Sequence, residues 1–263
     1  MSATISSINY CPVKSVSHQS IARCKIKKDI GIVGDRIFAF AKDLEVDKAL
    51  LFEKSPEERK GKWNKVLTLK NSPVLNKYNF LFKENKLTLT FNHKEILTID
   101  VNELSERQLL SNKIIELENS LKEPIILMKN EEFPFFDTSI SNKVDFINSV
   151  SLLNIQSIND FQKKINKKVE ISRFRGNICI DGIKPWVERE WIGKIIKINN
   201  ISFKVEKNIP RCVAINLKPA TDDNSLNLLQ SLKKTYDHFE MGIYLTALDD
   251  GEIGIGDKLI FNS

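Results

Sequence analysis

The stretch Ile195-Ile196-Lys197-Ile198-Asn199-Asn200-Ile201-Ser202-Phe203-Lys204-Val205 decides the fold. Apolar and polar residues alternate on both sides of Asn199-Asn200, which is the period of a half-buried strand, and an Asn-Asn pair suits a tight hairpin turn. The stretch therefore reads as two antiparallel strands, 195–198 and 201–205. Working outward, short strands are expected at 177–180 and 213–217, and then at 242–245, 252–255 and 258–261. Helical spacing interrupts the series around 155–165 and over 225–236, where Leu226, Leu229 and Leu232 share one face behind an Asp222-Asp223 N-cap.

The N-terminal half continues the pattern. Strands are expected over 4–10, 21–27 and 36–41. Residues 42–63 read as a long loop with at most one short helical turn, and strands 80–83 and 86–91 flank a Glu84-Asn85 turn. An amphipathic helix follows, with Leu104, Leu110, Ile114, Leu117 and Leu121 on one stripe. A strand at 125–128 then leads into the loop Glu131-Glu132-Phe133-Pro134-Phe135-Phe136-Asp137, read as a hinge between two halves, residues 1–130 and 131–263. Many short strands with a few helices imply an α+β, β-rich, barrel-like architecture with peripheral helices.

Composition narrows the function classes. The 263 residues are 41% hydrophobic, enough to bury a core. The net charge of +6 arises from 40 basic against 34 acidic residues scattered through Lys/Asn/Ile-rich text, which does not form the basic stripe of a nucleic-acid binder. Pro12, Lys14 and His18 interrupt any apolar window near the N-terminus, and no apolar run is long enough to cross a bilayer. A cytoplasmic protein without nucleic-acid or membrane partners is expected. Cys11, Cys24, Cys179 and Cys212 show no CxxC spacing, so free thiols are expected rather than a zinc site or a redox pair.

Two motifs carry chemistry. In Ile209-Pro210-Arg211-Cys212-Val213 a guanidinium adjoins a cysteine at the head of an apolar run, a setting that favours thiolate. In Arg173-Phe174-Arg175-Gly176-Asn177 two arginines and an amide stand at the mouth of another apolar run, suited to gripping an anion. An anion site beside a soft sulfur suggests a metal cofactor. The plainer reading of Cys212 is a buried core cysteine, which is also the reading preferred for Cys11, Cys24 and Cys179. His18, His93 and His238 show no sign of converging, and a surface role is expected for His238.

Further motifs lie in fixed order along the chain: Tyr10-Cys11-Pro12-Val13-Lys14-Ser15, Gly31-Ile32-Val33-Gly34-Asp35-Arg36, the Arg173–Asn177 stretch, Trp186 with Trp191-Ile192-Gly193, Arg211-Cys212, and Gly251-Glu252-Ile253-Gly254-Ile255-Gly256-Asp257. Together they resemble the MOSC family with its N-terminal MOSC β-barrel region, over nearly the whole chain. That family includes the amidoxime-reducing components and their bacterial counterparts, and carries a generic association with pyridoxal phosphate. The resemblance implies a molybdopterin-type molybdenum cofactor with Cys212 as the metal's thiolate ligand and catalytic residue. It also implies that Lys14, Ser15 and Arg36 grip the terminal phosphate with Asp137 close by, and that Arg173, Arg175, Asn177 and Arg211 border the cofactor. Its departures are Gly176 where the family often has Pro, Cys11 inserted between Tyr10 and Pro12, and Pro210 before Arg211.

The activity so implied is reduction of small N-oxygenated compounds at the metal. The chain shows neither an iron–sulfur cysteine set nor a Gly-rich nucleotide fingerprint, so electrons would come from an external donor protein. Two alternatives stand beside it. One is a carrier of the cofactor or of sulfur, with a persulfide on Cys212. The other is a non-catalytic module binding a different phosphorylated ligand.

Overall fold

The structure, a computed structural model, describes residues 2–16, 18–59, 61–121, 124–136 and 149–261. The chain begins with β1 (Ser2–Tyr10), β2 (Gln19–Ile21), β3 (Arg23–Lys27), β4 (Gly31–Ile32) and β5 (Phe38–Lys42), followed by α1 (Val46–Lys54) and α2 (Pro56–Arg59). A meander of β6 (Tyr78–Lys83), β7 (Lys86–Phe91) and β8 (Lys94–Asp100) precedes α3 (Leu104–Leu117) and β9 (Ile125–Lys129). The remainder comprises β10 (Val150–Asn154), α4 (Ile155–Ile165), β11 (Ile178–Asp181), β12 (Ile195–Ile198), β13 (Ile201–Pro210), α5 (Leu228–Tyr236), β14 (Glu240–Ala247), β15 (Gly251–Gly254) and β16 (Lys258–Phe261).

The opening hairpin forms as its alternation requires. Ile196 and Ile198 of β12 face Phe203 and Ile201 of β13 inside the sheet, while Ile195 and Lys197 point outward. Asn199 supplies the left-handed turn at φ 53°. The strands then close in the order β11-β10-β14-β13-β12-β16-β1, and β1 returns to pair with β11, giving a seven-stranded barrel. Closure removes the exposed sheet edges that would otherwise need protection. Ile5, Ile8, Leu152, Ile178, Phe203 and Leu245 are among the side chains that fill its interior. The strand contributed by the N-terminus is thus a stave of the barrel completed by residues 150–261.

A second core lies under the β6-β7-β8 meander and the β5-β9 pair, where Phe40, Phe80, Leu87 and Leu89 pack on Leu110 and Ile114 of α3. A third joins α4 and α5 through Ile158, Phe161, Leu228 and Leu232. The fold is therefore β-rich, with a closed barrel, peripheral helices and additional N-terminal sheets.

Several local expectations change. Within 42–63 the helix α1 runs nine residues, because Ala49 and Phe52 lie one turn apart and both bury. β8 and β10 were not expected; β10 is buried on both faces and so lacks alternation. The segment 213–217 is not a strand. A single 3₁₀ turn, Val213–Asn216, buries only Ile215. The cap of α5 is Asn227, whose side chain accepts from Gln230 N at 3.2 Å, while Asp223 closes an Asx turn onto Ser225 N at 2.8 Å. On α3 the buried face is Arg107, Leu110, Ser111 and Ile114, and Leu104 at the helix start is 59% exposed.

Candidate functional site

The chain leaving β1 turns beside β5, where Lys14 N donates to Phe38 O at 2.7 Å and Phe38 N donates to Pro12 O at 3.0 Å. This ladder carries Lys14 inward to 6% exposure. Its ammonium donates to the Phe136 carbonyl and lies 5.2 Å from the Trp63 ring. Arg36 is placed by its own backbone N–H, which donates to Cys11 O at 2.6 Å. Its guanidinium pairs with the Asp35 carboxylate and stacks 4.8 Å from the Phe136 ring. From the barrel side, Arg175 Nη2 donates to Cys11 Sγ at 3.1 Å. Buried Lys14 and half-buried Arg36 and Arg175 thus gather around buried Cys11. Burial pushes that thiol up, and the three cations oppose the shift. Ser15, Arg36 and Arg175 all adopt left-handed backbone, at φ 64°, 55° and 51°. For non-glycine residues such geometry is held by its surroundings, and it concentrates at functional sites.

Asn177 stitches the two sides together. Its Oδ1 accepts from Ser151 N at 3.1 Å and Ser151 Oγ at 2.7 Å, while Nδ2 donates to Asn9 O and to Asp35 Oδ2, both at 3.2 Å. Arg36 Nη1 approaches Oδ1 at 3.5 Å. Asp35 in turn accepts from Cys11 N at 2.7 Å.

Beside this cluster opens a cleft of about 240 Å³. One wall is His18, Leu69, Asn76 and Asn79; the other is Ser172, Arg173 and Arg175, with Ala214, Leu217, Pro219 and Ala220 beyond. Arg173 is fixed by Glu170 Oε2 at 2.6 Å and by Asn216 O at 2.7 Å, which binds the arginine stretch to the turn that Cys212 opens. Asn76 Nδ2 donates to Lys218 O at 2.8 Å and Thr221 O at 2.5 Å and so fastens the 217–221 loop across the seam. The backbones approach closely here. A Cβ on Gly176 would lie 2.4 Å from Leu153 Cδ1, and one on Gly242 would lie 2.4 Å from Leu152 O. Glycine is required at 242 also because φ is +78° there.

Of the four cysteines Cys212 is exposed and the other three are buried. Arg211, its neighbour, directs Nη1 to Phe174 O at 2.7 Å and Nε to Met241 O at 2.9 Å, holding the 211–212 step against the arginine stretch. The expected residues therefore fall into two groups. Lys14, Arg36, Arg175 and Asn177 meet around Cys11 and Asp35, with Ser15 next to Lys14 in the chain and Arg175 also lining the cleft; Arg173 lines the cleft too, whereas Arg211 and Cys212 are not among its lining residues and precede the turn whose Ala214 lines it. Asp137 lies outside the described residues.

Sequence reasoning passed over His18, Asn76 and Asn79. His18 lies four positions after Lys14, a proximity that was readable; Asn76 and Asn79 sit in a 3₁₀ turn and on β6, where no motif marks them. Burial and the neighbouring Arg175 drive the His18 pKa down to about 3, so the imidazole is neutral. Chemically, the arrangement offers two arginines at a cleft, further cations beside them, and an exposed thiol two residues before Ala214 of the cleft wall. That set suits an anionic ligand with a soft metal centre.

Residues 146–260 match the MOSC domain family. Over 159 residues the chain is 26% identical to the mitochondrial amidoxime reducing component 2 of Bos taurus, covering 56% of this chain and 46% of that protein. Over 119 residues it is 31% identical to the molybdenum cofactor sulfurase of Caenorhabditis elegans, covering 42% of this chain and 16% of that one. The chain thus spans less than half the length of these relatives. Among solved structures, the YUAD protein from Bacillus subtilis aligns with 98% of this chain and 94% of its own at 10% identity, with a TM-score of 0.43.

Proposed function

We propose, from the match of residues 146–260 to the MOSC domain family, that the protein binds a molybdopterin-type molybdenum cofactor and reduces small N-oxygenated compounds. The observation that carries the proposal is the exposed Cys212 at the head of the turn whose Ala214 lines the cleft, a cleft that also holds Arg173 and Arg175, with buried Lys14 and half-buried Arg36 grouped around Cys11 beside Arg175. These residues fit the cofactor. A thiolate suits a metal already bound by sulfur, and lysine with arginine suits a phosphate. When bound, the cofactor supplies two-electron redox chemistry, so that an N–O bond breaks, two electrons and two protons are consumed, and water leaves.

The chain's own residues bind and orient. Cys212 would be the metal ligand; Lys14, Ser15 and Arg36 would hold the phosphate with Asp137; and Arg173, Arg175 and Arg211 would border the metal end. Asn177 keeps Asp35 and Arg36 in register from beneath, through hydrogen bonds already committed to protein groups. Electrons would come from an external donor protein in the cytoplasm. Residues 1–130 would form the N-terminal region and 131–263 the cofactor-bearing half.

A second reading draws on the exposure of Cys212 and on the likeness to molybdenum cofactor sulfurases. An open thiol suits a persulfide that is handed onward, making the protein a carrier. One experiment separates the two. Holoprotein purified from a cofactor-competent host and reduced by a low-potential dye is expected to reduce an amidoxime, whereas NADH alone gives no turnover. Metal-free protein carrying cyanide-releasable sulfur, without reductase activity, would favour the carrier.

A further inference from the structure

His18 lines the cleft together with Arg173 and Arg175. Its Nε2 lies 3.2 Å from Gly176 O, and a carbonyl oxygen only accepts, so the hydrogen resides on Nε2. That assignment leaves a lone pair on Nδ1, which has no hydrogen-bond partner among the described residues. Arg173 and Arg175 beside it can only donate, and the Asn76 amide nitrogen is engaged by two carbonyls. A ligand filling this wall must therefore combine negative charge for the arginines with an N–H aimed at an acceptor.

We propose that His18 determines ligand specificity in the cleft, as an Nε2–H imidazole whose Nδ1 accepts a hydrogen bond from a ring N–H or amino group of a flat nitrogen heterocycle carrying an anionic tail. The inference rests on the cofactor assignment above, in which the heterocycle is the pterin. A protonated His18 would lose this acceptor and would face the Arg175 guanidinium, and its burial opposes that protonation. Gly176 O also accepts from Asn9 Nδ2 at 3.3 Å, so it stays satisfied without the histidine.

Two substitutions separate recognition from scaffolding. Asn places its amide oxygen near the position of Nδ1 and gives up the bond to Gly176. Gln keeps a donor near Nε2 and gives up the Nδ1 acceptor. The test measures pterin retained per protein after extensive dilution and gel filtration of holoprotein, by fluorescence of the oxidised pterin, together with the thermal midpoint. His18→Gln is expected to lower affinity roughly tenfold, the value of one hydrogen bond, with an unchanged midpoint; His18→Asn is expected to stay within about twofold of wild type. Loss in His18→Asn with retention in His18→Gln, or equal retention in both, overturns the role of His18 while leaving the cofactor assignment standing. Wild-type protein from a competent host that carries no pterin overturns both.

Discussion

Truncating Asn177 to alanine tests whether one buried amide joins the barrel to the segment that carries Arg36. The side chain is 2% exposed and makes four short hydrogen bonds, to Ser151 N, Ser151 Oγ, Asn9 O and Asp35 Oδ2. Removing it leaves Ser151 N–H, Asn9 C=O and the Ser151 hydroxyl proton without partners. Asp35 keeps Arg36 and Cys11 N, and Ser151 Oγ still accepts from Asn177 N at 2.9 Å. Each buried group left unpaired costs ~1–3 kcal/mol, so the total is on the order of 4 kcal/mol, a large share of the ~5–15 kcal/mol that stabilises a typical domain. Guanidinium unfolding followed by tryptophan fluorescence should show the midpoint falling with little change in slope. Asn112→Ala on the exposed face of α3 serves as control and should change stability by less than about 0.5 kcal/mol. A loss below about 1 kcal/mol in Asn177→Ala, with the slope unchanged, would refute the stitch.

Three further outcomes are expected. In native protein one thiol, Cys212, reacts rapidly with a disulfide reagent, while buried Cys11, Cys24 and Cys179 react only on denaturation, the Cys24 pKa being pushed up to about 12 by burial; two or more fast thiols would contradict the structure. Gly242→Ala must place a Cβ 2.4 Å from Leu152 O at φ +78°, so a loss of at least ~2 kcal/mol in denaturant unfolding is expected, and a neutral change would show that β10 and β14 do not approach so closely. The His18 pKa falls from 6.5 to about 3 on folding, so below pH 6.5 the unfolded chain binds a proton that the folded one does not. Its contribution is fully present above pH 6.5 and declines by up to ~1.4 kcal/mol per pH unit down to about pH 3, a slope that His18→Asn should remove from the pH dependence of unfolding.

The barrel was legible where one strand face meets water. Ile195–Ile198 and the strand after it alternate because only one face is buried, and Glu84-Asn85 is readable because both residues take φ > 0, at 49° and 62°. β10 was not legible, since Val150–Asn154 is buried throughout and has no period to read. The 213–217 segment looked like a strand because Val213, Ile215 and Leu217 alternate; tertiary context makes it a turn that leaves Val213 47% exposed beside Cys212. The site was legible as residue types, cations near a cysteine, while its partnerships were not. Arg175 meeting Cys11 across 164 positions, and Asn177 meeting Asp35 across 142, are products of barrel closure that no local pattern encodes. His18 was missed for the same reason, because its meaning comes from Gly176 O and Arg175 rather than from its own surroundings in the chain.

The most direct test is the molybdenum and pterin content of the purified protein, measured on wild type, Cys212→Ser and Cys24→Ser after expression in a host that makes the cofactor. Cys212 as metal ligand predicts near-stoichiometric molybdenum and pterin in wild type and in Cys24→Ser, with molybdenum falling at least tenfold in Cys212→Ser because an alcohol is a poor ligand for a soft, sulfur-bound metal. Molybdenum-free wild type, or a Cys212→Ser variant that keeps its full complement, would contradict it.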